Sequence, residues 1–294
     1  MADKKKKVTT TTVTTTTVTE EIVKVLTNNK THIICILDRS GSMASIMNDS
    51  IGGFNTFLKQ QRELPGEATI SVALFDDKYE LVYDNVDIKK AENLTDKIWF
   101  ARGTTALYDA LGKTINTEKA NLAKFGDEKP AKVLVCIVTD GQENASHEFK
   151  IDDIRKLIKD CEDDNWNFLY LAANQDAFAV GSSFGVSVGN TLNFTASGAG
   201  VGQMYNTAFA SATSYRSMDV NSNNFKKMSK SLVNDDPDFL VRGSDGTTNL
   251  NNLLNTTGSI NTTSVTGDIT TVTSKKDVPF TLTADGSNTN NASK

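Results

Sequence analysis

Apolar positions along the chain fall into two kinds of run. THIICILD (31–38), AKVLVCIVTD (131–140) and WNFLYLAA (166–173) are almost continuously apolar, the pattern of strands buried on both faces. Between them, apolar residues recur at helical spacing: Met47, Ile51, Phe54 and Leu58, then Leu107, Leu111, Ile115 and Leu122, then Ile151, Ile154, Ile158 and Cys161. ATISVALFD (68–76) and YELVYD (79–84) flank Asp77 and Lys78 and predict a hairpin. A short helix near 175–184, a weak strand near 191–194 and a helix through Val201, Tyr205, Phe209 and Ala212 complete the pattern.

Strands alternating with helices predict an α/β fold: a Rossmann-like, doubly wound, mostly parallel sheet flanked by helices on both faces. The hairpin supplies one antiparallel edge strand, which such sheets tolerate. Ligands of these sheets sit at the carboxyl ends of the strands, near a topological switch point. That rule directs attention to the loops opening with Asp38 and Asp140.

The periodic pattern occupies residues 29–217. Residues 1–28 form a Lys/Thr-rich arm that contains Lys4 to Lys7, and 218–294 are rich in asparagine, threonine and serine. DITTVTS and VPFTLTADG read as a weak hairpin over 268–286. Solvated tails are the plain reading of both extensions. Their β-prone stretches also fit strand addition to a neighbouring copy, so a homo-oligomer joined through the terminal arms is a second expectation. Asp235-Asp236-Pro237-Asp238 reads as a solvated acidic linker, or as a carboxylate source for another copy of the chain.

Composition narrows the function classes. A net charge of -5 over 294 residues argues against nucleic acid as a partner. No apolar run approaches the roughly 20 residues a membrane-spanning helix needs, and no apolar segment follows the basic start as in a secretory signal. The expectation is a protein with no membrane partner, cytoplasmic or part of a particle assembled in the cytoplasm. Cys35, Cys136 and Cys161 lie in apolar stretches and read as core residues.

Three stretches carry candidate chemistry. CILDRSGSM places Asp38, Ser40 and Ser42 at alternate positions where a buried strand ends. In an extended exit, such positions turn toward one side. ARGTTALYDAL offers Thr104 and Thr105 just before a helix, and VTDGQEN places Asp140 and Gly141 at a strand end. Taken singly, these features also read as helix caps and turns. Together they form a set of hard oxygen ligands, which suits Mg²⁺, Mn²⁺ or Ca²⁺ rather than zinc or copper.

Asp38-x-Ser40-x-Ser42, the threonine of Gly-Thr-Thr-Ala-Leu-Tyr-Asp and Asp140-Gly141 resemble the von Willebrand factor A (VWA) domain and its metal-ion-dependent adhesion site (MIDAS). Over 173–215 the chain looks like stand-alone bacterial and phage-encoded members, including those near tellurium-resistance operons. That group sets the register at Thr105, with Thr104 the adjacent alternative. The resemblance implies a protein-binding module. Ser40, Ser42 and Thr105 would ligate the cation, Asp38 and Asp140 would act largely through water, and a partner's Asp or Glu side chain would take the remaining position. Mg²⁺ suits this set because it retains waters readily.

Catalysis is not expected. Ser40 stands where an aspartyl-nucleophile phosphatase would carry its second aspartate, and neither a phosphate-cradling Gly-x-x-x-x-Gly-Lys loop nor a Gly-x-Ser-x-Gly elbow occurs. His32 and His147 read as structural, which leaves no evident general base. The alternative function class is a structural or assembly component, for example of a phage particle, whose arms mediate subunit contacts.

Overall fold

The computed structural model describes residues 30–233. The N-terminal arm, the acidic run at 235–238 and the hairpin expected at 268–286 lie outside the described residues.

Six strands form one sheet in the order β3-β2-β1-β4-β5-β6. They are β1 (Thr31–Asp38), β2 (Ala68–Phe75), β3 (Tyr79–Asp87), β4 (Lys132–Thr139), β5 (Trp166–Ala172) and β6 (Thr191–Asn193). Every neighbouring pair is parallel except β2 and β3, which are antiparallel at one edge. This is the doubly wound, mostly parallel sheet with one antiparallel edge strand that the apolar pattern predicts. The chain builds outward from β1 in one direction, then crosses back to build outward in the other. The switch point therefore lies between β1 and β4.

The helices are α1 (Met47–Glu63), α2 (Leu107–Ala123), α3 (Ile151–Glu162), α4 (Ala177–Ser183), α5 (Gly198–Ser217) and α6 (Phe225–Met228). Odd positions of β1, such as Ile33, Cys35 and Leu37, join a core with Phe54 of α1 and Met204 and Ala208 of α5. Even positions, Ile34 and Ile36, join a second core with Leu111 of α2 and Ile154 and Ile158 of α3. Burial on both faces explains why β1 and β4 are apolar throughout rather than alternating. All three cysteines are buried and free.

Two features extend beyond the periodic pattern. β3 continues to Asp87 rather than 84, because Asn85 takes a positive φ of 51° and its N–H is held by Ser71 Oγ at 2.8 Å. The register shifts in this region, so a turn-forming residue sits within the strand at an irregularity. After α5, residues 218–233 pack back on the domain and bury Phe225, Leu232 and Val233.

Candidate metal site

Asp38 closes β1 and is completely buried. Its Oδ1 accepts from Ser40 N at 2.6 Å and its Oδ2 from Thr139 Oγ1 at 2.6 Å. One carboxylate thus ties its own loop to β4 across the switch point. Arg39 N donates to Phe75 O at 2.8 Å, and Ser40, Gly41 and Ser42 then turn into a single 3₁₀ segment (Gly41–Ser45).

The connection from β3 to α2 is stitched onto this loop. Arg102 N donates to Arg39 O at 2.7 Å, and Gly41 N donates to Gly103 O at 3.1 Å. Trp99 Nε1 reaches Asp38 O at 3.0 Å. Gly103 has a φ of +65°, and a Cβ there would fall 2.0 Å from Asp77 Oδ1. Only glycine lets the chain double back so tightly and deliver Thr105. The loop after β4 completes the arrangement. Asn144 Oδ1 accepts from Thr105 N at 3.0 Å, while Asn144 N and Ala145 N donate to Thr105 O at 3.0 and 3.2 Å.

These bonds bring three hydroxyls from two loops against a carboxylate from a third. Ser42 Oγ donates to Asp140 Oδ1 at 2.6 Å and lies 3.1 Å from Ser40 Oγ. A Cβ built on Gly141 would meet Ser42 Oγ and Thr105 Oγ1 at 3.2 Å each, and Ser40 Oγ at 3.8 Å. The three hydroxyls therefore lie within 3.8 Å of one point above the Gly141 backbone. Asp140 Oδ2 is buried and has no hydrogen-bond partner among the described residues. Thr105 is buried, whereas Thr104 is exposed.

An orphaned carboxylate oxygen beside converging hydroxyls fits a hard divalent cation, which takes oxygen ligands and satisfies such an atom. No group of three or more His, Cys, Asp or Glu side chains suited to a metal occurs among the described residues. The donor set here is mainly hydroxyl. Electrostatics points the same way. Burial pushes the Asp38 carboxyl up to about 6, against hydrogen bonds from Thr139 and Ser40, and neighbouring Asp140 adds to the rise. Burial raises Asp140 too, against the Ser42 bond. Burial disfavours the charged form of both carboxylates, and a cation would supply a counter-charge.

Supporting residues lie beyond the motif positions. Asp109 at the start of α2 accepts from the N–H groups of His147, Glu148 and Phe149, each at 2.9 Å. Burial alone would raise its pKa, but these three donors hold it below the ordinary carboxylate value. Glu143 accepts from Tyr108 N at 3.0 Å, Ala145 N at 3.0 Å and Ser146 N at 2.8 Å. Together they clamp the β4 loop to the amino end of α2. Asp109, Glu143 and Asn144 sit within the quoted runs ALYDAL and TDGQEN, where polar residues two to five positions from the strand end or helix start were the available signal. Beside the site, buried Asp76 binds two arginines, Arg39 through Nε at 3.3 Å and Arg102 through Nε at 2.5 Å. Arg39, the residue between Asp38 and Ser40, is itself buried, and its Nη1 lies 2.5 Å from Glu80 Oε2.

No family model and no curated protein matches this chain. Among solved structures it is similar to proximal thread matrix protein 1 from the mussel byssus, with 13% identity, 63% of this chain and 48% of that chain covered, and a TM-score of 0.47. A further structure of the mussel protein has a zinc-occupied MIDAS motif. The chain is also similar to the ArnB paralog VWA2 from Sulfolobus acidocaldarius, with 19% identity, 63% and 45% covered, and a TM-score of 0.40. A third is the von Willebrand factor type A structure from Catenulispora acidiphila, with 14% identity, 63% and 42% covered, and a TM-score of 0.44. The chain spans about half the length of the mussel protein.

Proposed function

We propose that this protein is a divalent-cation-dependent protein-binding module that captures an Asp or Glu carboxylate of a partner. The observation that carries the reading is the convergence of Ser40, Ser42 and Thr105 hydroxyls on one point beside the orphaned Asp140 Oδ2. Ser40, Ser42 and Thr105 would hold the cation, with Asp38 and Asp140 behind them, and Mg²⁺ is the ion we assign. When bound, the ion supplies an electrophilic centre for an outside carboxylate. The chain's own residues orient the hydroxyls and balance the charge.

Binding without turnover fits the donor set. Both Asp38 oxygens accept hydrogen bonds, from Ser40 N and Thr139 Oγ1, which hold this carboxylate in a positioning role behind the hydroxyls. His32 sits at the opposite end of β1, bonded to Glu118 and Thr69. The assembly reading rests on arms outside the described residues, and no described contact favours it.

The test is a nitrogen-15 NMR titration with the blocked peptide acetyl-Gly-Glu-Gly-amide, in Mg²⁺ and in EDTA. Shifts at Ser40, Ser42 and Thr105 that require Mg²⁺ and vanish in Asp140→Ala support carboxylate capture. Identical spectra with and without peptide in Mg²⁺ would refute it.

A further inference from the structure

The rim of the metal site carries a second anchor. Arg102 lies in the loop that delivers Thr105, and its backbone is bonded to Arg39 beside Ser40. Its Nε is fixed by buried Asp76 at 2.5 Å, and its guanidinium lies over the Phe100 ring, 5.2 Å from the centroid. The side chain is 39% exposed, and its two Nη atoms have no partner among the described residues. A guanidinium held at one edge and free at the other is prepared for a second carboxylate. Phe100 is 42% exposed. The other large exposed apolar residues, Phe125, Val188 and Met228, lie toward the amino ends of the strands. The metal face thus presents a carboxylate socket, a free cationic edge and an apolar ring side by side.

The chain contains a segment with the matching chemistry. Asp235-Asp236-Pro237-Asp238-Phe239-Leu240 offers three carboxylates followed by two large apolar side chains. Covalent geometry keeps Asp235 and Asp236 from their own site. Val233 N is bonded to Gly189 O beside the outer strand β6, and Thr191 of β6 pairs with Tyr170, which is level with Ile137. From there the groove between β1 and β4 is about 12 Å across the strands, and Asp140 is about 10 Å along them. Asp235 and Asp236 reach at most about 7 to 11 Å beyond Val233. Asp238 would need a nearly straight, fully extended chain to reach that site.

Resting on the carboxylate-capture reading, we propose that the metal face of one copy docks the Asp235–Leu240 segment of a second copy. One carboxylate takes the metal position, another takes the free edge of Arg102, and Phe239 covers Phe100. Because donor and acceptor surfaces differ, two copies can exchange segments reciprocally or join head to tail, and either association rises with concentration.

The test is sedimentation velocity of the full chain in Mg²⁺ and in EDTA, with wild type, Asp140→Ala, Arg102→Gln, Phe100→Ser and the triple variant Asp235→Asn/Asp236→Asn/Asp238→Asn. Wild type should associate in Mg²⁺ only, and Arg102→Gln, Phe100→Ser and the triple variant should each weaken association about tenfold or more. A synthetic peptide spanning 233–240 should dissociate the complex, and its asparagine form should not. Association indifferent to EDTA, or retained in the triple variant, overturns the proposal. A wild type that stays monomeric in Mg²⁺ while acetyl-Gly-Glu-Gly-amide still shifts Ser40 and Thr105 also overturns it, and leaves carboxylate capture standing. Absence of both responses removes the two readings together.

Discussion

At the amino ends of β1 and β4, buried polar groups close on one another. Lys132 is completely buried and donates to the carbonyls of Arg216 and Met218. Arg216 in turn donates to Gln61 O at 2.8 Å, Gln61 Oε1 at 3.0 Å, Pro65 O at 3.2 Å and Gly66 O at 3.3 Å. His32 bridges Glu118 Oε2 at 3.1 Å and Thr69 Oγ1 at 2.8 Å. Thr31 Oγ1, Glu118 Oε1 and Gln61 Nε2 are left without partners among the described residues at this end. At the carboxyl ends of the same two strands, Asp140 Oδ2 is left over beside three hydroxyls from other loops. Both ends bury charge, so burial by itself does not mark function. The difference lies in where unused bonding capacity points: into the closed network at one end, toward a shared open point at the other.

The largest effect should fall at the closed end. Glu118→Ala removes the buried hydrogen-bond partner of His32 Nε2 and should cost about 1 to 3 kcal/mol in urea unfolding. The Mg²⁺ affinity of the remaining folded protein should be unchanged. A loss below about 1 kcal/mol would mean that the amino-end network is not holding the fold.

Asp140→Ala should show the reverse. Asp140 makes one side-chain hydrogen bond, to Ser42, so metal-free stability should move by no more than about 1 kcal/mol. Cation affinity, read by calorimetry, should fall about 10- to 100-fold, the scale of losses seen when groups that support a metal are removed. Large metal-free destabilisation would instead assign Asp140 to the structural network.

Acidification should separate the ends further. Folded metal-free protein holds Asp38 protonated up to about 6, whereas an unfolded chain releases that proton near about 3.9. Between these values the folded state binds more protons, so metal-free stability falls as pH rises through this window. Asp140 shifts in the same direction. A cation requires ionised carboxylates, so the rise in Tm given by Mg²⁺ should be small at pH 4.5 and grow toward pH 7. Equal Mg²⁺ shifts at both values would contradict the assignment of Asp38.

Gly141→Ala should have the smallest effect. The added methyl comes within 3.2 Å of Ser42 Oγ and Thr105 Oγ1 and crowds these two hydroxyls. Calorimetry should show cation affinity lower by about threefold to tenfold, with unfolding stability moved by under about 1 kcal/mol. Unchanged affinity would place the ion elsewhere.

The strands and their order of appearance were legible because β1, β4 and β5 are buried on both faces and their apolar runs end abruptly. Asp38, Ser40 and Ser42 stood out through their alternate spacing, and Asp140 through the Asp-Gly at a strand end. Their convergence at one edge of the sheet was expected, from the strand-end rule and from the resemblance, but the contacts that bring it about were not legible. They depend on the parallel register that sets Leu37 beside Val138, and on Gly103 turning its loop back. Thr139 reads as the last residue of an apolar run, yet it holds Asp38 Oδ2 from the adjacent strand. Residues 88–106 bury Ile88, Leu94 and Trp99 without helical or strand period, so nothing local announced that Trp99 would bond Asp38 O. Arg39 stood between two candidate ligands with no role of its own legible there. Its burial against Asp76 and Glu80 follows from β2 and β3 lying next to β1.

The most direct test of the open point as a cation site is electron paramagnetic resonance of Mn²⁺ titrated into the full chain. The account predicts loss of the free-ion signal at one Mn²⁺ per wild-type chain, its return on adding excess Mg²⁺, and affinity about 10- to 100-fold lower in Asp140→Ala. Equal binding by wild type and Asp140→Ala, or a wild type that leaves Mn²⁺ free, would contradict it.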